Sequence, residues 1–337
     1  MIMAPSIFFT GASGYVGGDA LHALLAAHPD WEKHTTCLLR NHTQEAALRQ
    51  KWPALNIFYA ALDDETAIEE EVKKHNLVLH FAVSSDHVAS CRAILKGLSV
   101  SGGHYIHTSG MDVLLDPKLQ TGNPSHVEIF DDFSGIDKLR SLPEGSPHRE
   151  VDKFVLAAGN DLVKTAIVCP STVHGLGRGP VSQRSDQIPK LTQLMLQAGH
   201  GLQLGDGKTF WSYIHVYDLS RLYLLLVDEA VSNGSKATWN ELGYYLVENG
   251  EFSWGEVCVA ITKEAYRQKT FASENIVTVP MEERSPFVAL ARPVINYSAR
   301  SRAVRAKNLL GWEAREGPLM DEIPGLVRME IERTRIA

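Results

Sequence analysis

The stretch Ile7-Phe8-Phe9-Thr10-Gly11-Ala12-Ser13-Gly14-Tyr15-Val16-Gly17-Gly18 constrains this chain more than any other. Ile7 to Thr10 predicts a buried strand and the glycines a tight turn. Leu21, Leu24 and Leu25 then continue a helix at 3.6-residue spacing. Gly11, Gly14 and Gly17 each have a physical task in a dinucleotide site. Gly11 lets the chain turn off the strand, Gly14 leaves room for backbone N–H groups to meet a pyrophosphate, and Gly17 lets the helix pack closely on the sheet. The phosphate then lies at the positive end of the helix. A glycine triplet alone is weak evidence, and its place between a strand and a helix gives it force.

Apolar runs and helical periods alternate from there onward. Strands are expected at Thr35 to Leu39, Asn56 to Tyr59, Asn76 to Val83, His104 to Thr108 and Val163 to Cys169. Helices are expected between them, over 43–51, from Asp63, over 86–100 and around Val151 to Ala158. That order predicts an α/β fold with a doubly wound parallel sheet, a Rossmann domain. Residues 111–147, rich in Pro, Gly, Asp and Ser, read as a long irregular excursion. From residue 180 the elements become short and mixed. A strand is expected at Phe210 to His215, a helix at Asp218 to Glu229, a strand at Thr238 to Val247, a helix capped by Ser253, and a last helix from Leu319. The expected division is a dinucleotide-binding domain over 1–179 and a smaller substrate-binding lobe over 180–337, with segments that interleave.

The net charge of −7 argues against a nucleic-acid binder, and the basic run Arg300, Arg302, Arg305 and Lys307 reads as a solvated helix face. No apolar segment approaches the ~20 residues of a membrane span, which predicts a protein with no membrane partner and a cytoplasmic location. Cys37, Cys91, Cys169 and Cys258 are scattered singletons, unsuited to a disulfide framework or a zinc cage. His104 and His107, three apart on a strand, point to opposite faces, so no metal site is expected. The expected partner is a small-molecule substrate, with a homodimer as a further possibility.

The segments GASGYVG at 11–17, LHFAVSS at 79–85, YIHTSG at 105–110, HREVDK at 148–153, CPSTVHG at 169–175 and FWSYIHVYDLS at 210–220 together resemble the extended short-chain dehydrogenase/reductase superfamily, in its epimerase/dehydratase and NmrA-like branch. The resemblance implies a sheet in the order 3-2-1-4-5-6 with a nicotinamide dinucleotide across its carboxyl edge. It implies that Gly11, Ser13, Gly14, Tyr15, Val16 and Gly17 hold the pyrophosphate and that Leu62 packs on the adenine. Ala82, Val83, Ser84 and Thr108 would line the ribose side, and Pro170, Thr172 and Val173 the nicotinamide amide. Arg40, where an acidic residue would bind the ribose hydroxyl of NAD, offers a planar fork to the 2′-phosphate of NADP. Stacking on adenine is the competing role for Arg40.

The family's proton donor is a tyrosine four residues before a lysine, beside a Ser or Thr after the fifth strand. Lys153 matches the lysine, which binds the ribose, but Arg149 stands in the tyrosine's place. Arginine stays charged at any ordinary pH and cannot be a general acid, although it can hold an anion. The candidates left are His148, one residue off that register and so ~100° around the helix, His174 just past the sixth strand, and Ser109 or Thr108. Tyr213 and His215, on one strand face, are candidates for the pocket border, with His215 expected beside Asp218. Three functions compete: an NADP-dependent oxidoreductase acting on a small carbonyl or alcohol metabolite with a substitute donor; a non-redox isomerase, cyclase or epimerase using bound dinucleotide; and an NmrA-like redox sensor. The first is preferred on the strength of the resemblance, with NAD the less favoured cofactor.

Overall fold

Ile7–Thr10 (β1) lies third from one edge of a seven-stranded sheet in which every neighbouring pair runs parallel. The computed structural model describes residues 4–115, 128–280 and 297–336. From β1 the chain passes through α1 (Tyr15–Ala27) to β2 (Thr35–Leu39), α2 (Glu45–Lys51) and β3 (Asn56–Tyr59) on one side of the sheet. It then crosses back through α3 (Glu65–Val72) to β4 (Leu77–His80), α4 (Val88–Ser101) and β5 (Gly103–Thr108). The expected 111–147 excursion carries β6 (Ile129–Asp131) and α5 (Ile136–Arg140), with 116–127 outside the described residues. The helix α6 (Arg149–Ala158) then leads into β7 (Val163–Pro170) and the short β8 (Thr172–His174).

The strand interiors show why this sheet is sandwiched. Ile7 and Phe9 join one core with Leu77, Leu79, Ile106, Ala166 and Val168, while Phe8 joins the other with Val78, Tyr105 and Ile167. The period-2 alternation of a strand sends successive side chains to opposite faces, and here both faces are covered. Phe8 and Phe9 are fully buried, each worth roughly 1.5–3 kcal/mol in transfer alone.

The second half supplies α7 (Gln187–Ala198), β9 (Gly201–Leu204), β10 (Phe210–His215), α8 (Val216–Ser232), β11 (Tyr244–Val247), β12 (Glu251–Ser253), α9 (Trp254–Arg267), β13 (Ile276–Val279), β14 (Arg300–Arg302), α10 (Arg305–Leu310) and α11 (Leu319–Ile336). Ser253 caps α9 in a reciprocal box with Glu256, as its sequence suggests. The described residues also form three small sheets, β12-β10-β8, β13-β9 and β14-β6.

Three expectations change. The main sheet has the order 3-2-1-4-5-7-11, so a seventh strand follows the implied six, and α8 packs on α1. The strand expected at Thr238 to Val247 shrinks to Tyr244–Val247, because a 3-10 turn occupies Asn240–Leu242. The basic tail is no solvated helix face. Arg300 and Arg302 lie on β14 and pair with Glu251, and Arg305 is buried against the carbonyl of Asp132 and the hydroxyl of Thr238. Asp132, itself buried, accepts backbone N–H groups from Leu246, Val304 and Arg305, which ties the tail to the new edge strand.

Candidate functional site

A parallel sheet gathers all its carboxyl ends at one edge, so the loops after β1, β2, β4, β5 and β7 meet there. Gly11 has φ 78°, and a Cβ on it would lie 2.8 Å from that of Phe81. A Cβ on Gly17 would stand 2.3 Å from the Gly11 carbonyl oxygen. Gly14 differs, because its Cβ would meet only that same oxygen, at 3.2 Å, and otherwise faces open space. Gly14 also caps α1 without any side-chain hydrogen bond, so the first N–H groups of the helix have no side chain on them. This cradle fits a pyrophosphate.

Ser13 and Val16 are half-buried in the turn. Tyr15 contributes only backbone, since its hydroxyl leaves the turn and donates to the Gly175 carbonyl at 2.7 Å. Arg40 is exposed at the end of β2, with no ion pair among the described residues. Leu62 packs half-buried on the core. Beyond β4, Ala82 donates its N–H to Thr10, and Val83, at φ 49°, is 61% exposed at the cleft rim. The Ser84 hydroxyl donates to the Thr108 carbonyl, and the Thr108 hydroxyl pairs with that of Tyr223. Pro170 and Thr172 are buried and Val173 half-buried, and the Thr172 hydroxyl has no partner among the described residues.

The greatest departure concerns α6. Arg149 and Lys153 do not face the cleft. The Arg149 guanidinium is buried and donates to the carbonyls of Leu142 and Arg140, and the Lys153 ammonium pairs with Glu144 at the surface. His148 and Asp152, one register earlier and also four apart, face inward. His148 caps α6 at φ 61°, with its Nδ1 2.7 Å from Asp86 Oδ1 and its Nε2 4.0 Å from Asp112. A Cβ on Gly110 would come within 3.2 Å of that Nε2, so the ring lies over the end of β5. Helical geometry had counted against His148 only because the register was anchored on Lys153.

Asp152 is fully buried, accepts the Tyr244 hydroxyl at 2.6 Å, and lies 3.8 Å from His107 Nε2. Burial pushes its carboxyl up to about 6, against hydrogen bonding from Tyr244 and the charge of His148. Ser109 lies beside this carboxylate with its hydroxyl outside hydrogen-bond geometry. Behind them the Tyr105 hydroxyl reaches His80 Nδ1 at 2.7 Å, His107 Nδ1 at 3.0 Å and Cys91 Sγ at 3.3 Å. His80, Cys91 and His107 can each bring one ligand atom within 4.8 Å of the others, a grouping that sequence spacing concealed. The Tyr105 hydroxyl bonds to a donor atom of each, which makes the group a hydrogen-bond hub. Burial drives His80 down to about 3 and His107 well below the ordinary range, so both rings are neutral.

His174 does not reach toward this cleft. It is buried, 3.1 Å from Glu322, whose other oxygen lies 3.1 Å from His215. His215 therefore pairs with Glu322 and not with Asp218, which instead binds Arg221 and the N–H groups of Arg315 and Glu316. Tyr213 packs against Gly250. His215 and Glu322 border a pocket of about 650 Å³ between the loop after β8 and α11, whose lining includes Gly175, Tyr217, Arg184 and Arg328. Among the described residues, no helix is long and apolar enough to cross a membrane.

No protein-family model matches the chain. Oxidase ucsJ of an Acremonium species is 33% identical over 347 aligned positions, which span 98% of this chain and 99% of that protein. An uncharacterised protein of Saccharomyces cerevisiae is 23% identical over 66% of this chain and 70% of its own length. Among solved structures, the dTDP-glucose 4,6-dehydratase DesIV of Streptomyces venezuelae, with NAD bound, superposes with a TM-score of 0.70 at 17% identity, covering 98% of both chains. The UDP-glucose 4-epimerase of Thermotoga maritima does so at 0.67 and 15%, covering 98% of this chain and 99% of its own. The chain thus belongs to the family of the Acremonium oxidase ucsJ, and its Rossmann fold is the one shared by the dehydratase DesIV and the UDP-glucose 4-epimerase.

Proposed function

We propose that the protein is an NADP-preferring oxidoreductase for a small carbonyl or alcohol metabolite, with His148 as its proton donor. The observation that carries this reading is the His148–Asp86 pair over the end of β5, on the helix face that the sequence match gave to Arg149 and Lys153. The dinucleotide would be held by the backbone of residues 11–17 and by Arg40, and when bound it supplies the hydride. Asp86 accepts from His148 Nδ1, which fixes the ring with Nε2 toward Gly110 and the cleft. A protonated ring can then give its Nε2 hydrogen to a substrate oxygen, and a neutral ring can take one back. The exposed Arg40 favours a 2′-phosphate through charge-assisted hydrogen bonds worth about 1.5–3 kcal/mol.

Calorimetry with NADP(H) and NAD(H), followed by turnover of an aldehyde and ketone panel with NADPH, tests this reading. Wild type should bind NADP(H) more tightly, Arg40→Ala should abolish the difference, and His148→Gln should lower kcat by about 10²–10⁴-fold. Equal affinity for the two cofactors would overturn the NADP assignment. Substrate turnover without net cofactor change would replace the redox reading by an isomerase.

A further inference from the structure

Three buried polar atoms beside the cleft have no hydrogen-bond partner among the described residues: Ser109 Oγ, His107 Nε2 and Asp152 Oδ1. Asp152 Oδ1 and His107 Nε2 face one another at 3.8 Å, and Ser109 lies beside the same carboxylate. A buried carboxylate and a buried imidazole with unfilled valences are costly unless a proton stands between them. One proton is enough, and either partner can carry it.

Tyr105 couples this choice to the rest of the hub. Its hydroxyl has one hydrogen and two imidazole neighbours, His107 Nδ1 and His80 Nδ1. When the hydrogen goes to His107, that neutral ring carries its own hydrogen on Nε2 and offers it to an ionised Asp152. When it goes to His80, the His107 hydrogen lies on Nδ1, Nε2 is bare, and Asp152 must be protonated to meet it. The protonation of Asp152, the tautomer of His107 and the rotor of Tyr105 therefore change together. Asp152 is faced by Tyr244 on β11, Cys169 on β7, His107 and Tyr105 on β5, Cys91 on α4, and His148 and Arg149 on or at the start of its own helix. No lysine stands among them.

We propose that Asp152, backed by His107 and Tyr105, is a buried proton store that delivers to the cleft through the Ser109 hydroxyl. In delivery the Asp152 O–H bond breaks as Ser109 Oγ takes the hydrogen. The Ser109 O–H bond breaks in turn as its hydrogen passes to a substrate oxygen made negative by hydride addition. Asp152 is left as a carboxylate, and the His107 hydrogen moves from Nδ1 to Nε2 only afterwards, one proton being lost to solvent as another is gained. A solvent proton refills the store through the same hydroxyl once the product has left. The cleft thereby has a donor on the Ser109 side as well as at His148. Asp152 is in this sense a positioning and storage residue, and Ser109 the group that touches substrate. Its near-neutral carboxyl, raised by burial, suits it to load and unload at ordinary pH.

The store is tested first on the resting protein. With ¹⁵N-labelled histidine, NMR across pH 5–8 should show the His107 tautomer switching in one step. Asp152→Asn should abolish the step and Tyr105→Phe should displace it, while His148→Gln should keep it and move it to higher pH, since the charge of His148 holds the Asp152 carboxyl down. A His107 signal that does not change over that range, or that changes equally in Asp152→Asn, overturns the store. Delivery rests on the redox reading above and is tested with whatever carbonyl substrate that assay finds. His148→Gln should keep a slow turnover whose kcat falls as pH rises through the same step, and adding Ser109→Ala should remove it with little change in KM. Residual turnover indifferent to Ser109→Ala overturns delivery. An NMR switch without any redox substrate leaves the store standing and overturns the redox reading instead.

Discussion

Replacing Glu322 by glutamine should cost stability in a pH-dependent way that the structure fixes in sign. Glu322 opens α11 and lies 3.1 Å from both His174 and His215. Burial alone would raise its carboxyl, but the two histidines beside it outweigh burial and hold the group at about 2, below its ordinary 4.5. A carboxyl depressed in the folded state contributes stability above its unfolded pKa and loses it as pH falls toward the folded one. The full shift would correspond to roughly 3 kcal/mol at 1.36 kcal/mol per unit. The side chain is 34% exposed, so solvent screening reduces this to about 1–2 kcal/mol. At roughly 2.1 cal/mol/K per residue the chain's unfolding entropy is near 0.7 kcal/mol/K, so Tm should drop by about 1.5–3 °C. Urea unfolding of wild type and Glu322→Gln at several values between pH 3 and 7 measures the difference directly. It should be full above pH 5 and shrink steadily below pH 4.5. A difference that is constant with pH, or that grows on acidification, would refute the clamp as the source of the effect.

Two further outcomes follow from the glycine turn and from α6. Gly17→Ala should destabilise the fold itself, because its Cβ falls 2.3 Å from a backbone oxygen that cannot give way, whereas Gly14→Val should abolish dinucleotide binding with Tm little changed; thermal unfolding beside cofactor calorimetry separates the two. Lys153→Ala should leave cofactor affinity within about twofold and cost at most about 1 kcal/mol, since the residue makes only an exposed ion pair with Glu144, and a large loss of binding would restore the register anchored on that lysine.

The sheet was largely legible in the sequence because β1 to β5 and β7 are apolar runs between helical periods, and the turn at Gly11 because only glycine accepts that backbone. The register of α6 was not, because HREVDK ends in a lysine that invites alignment on Lys153. The signal that would have corrected it is the inward stripe His148, Asp152, Val155, at helical spacing beside buried Val151. His80, Tyr105 and His107 were hidden for another reason. Their meeting depends on which strands are neighbours, and β4 beside β5 is a pairing, not a spacing. Asp132 lies more than 110 residues from each N–H it binds, and no local pattern can announce such a contact. His174 misled because its place after β7 suggested the cleft, while its partner, Glu322, comes from the far end of the chain.

The seventh strand also has a consequence for synthesis. β7 pairs with β5 on one side and with β11 on the other, and about 75 further residues must leave the ribosome before β11 exists. Until then β7 offers a bare edge of backbone donors and acceptors, and Asp152 lacks the Tyr244 hydroxyl that fills one of its oxygens. The nascent amino-terminal half is consequently a sheet with a sticky margin and an unsatisfied acid beneath it. Chaperone capture should concentrate in that interval, and a fragment ending near residue 179 should aggregate where the full chain does not.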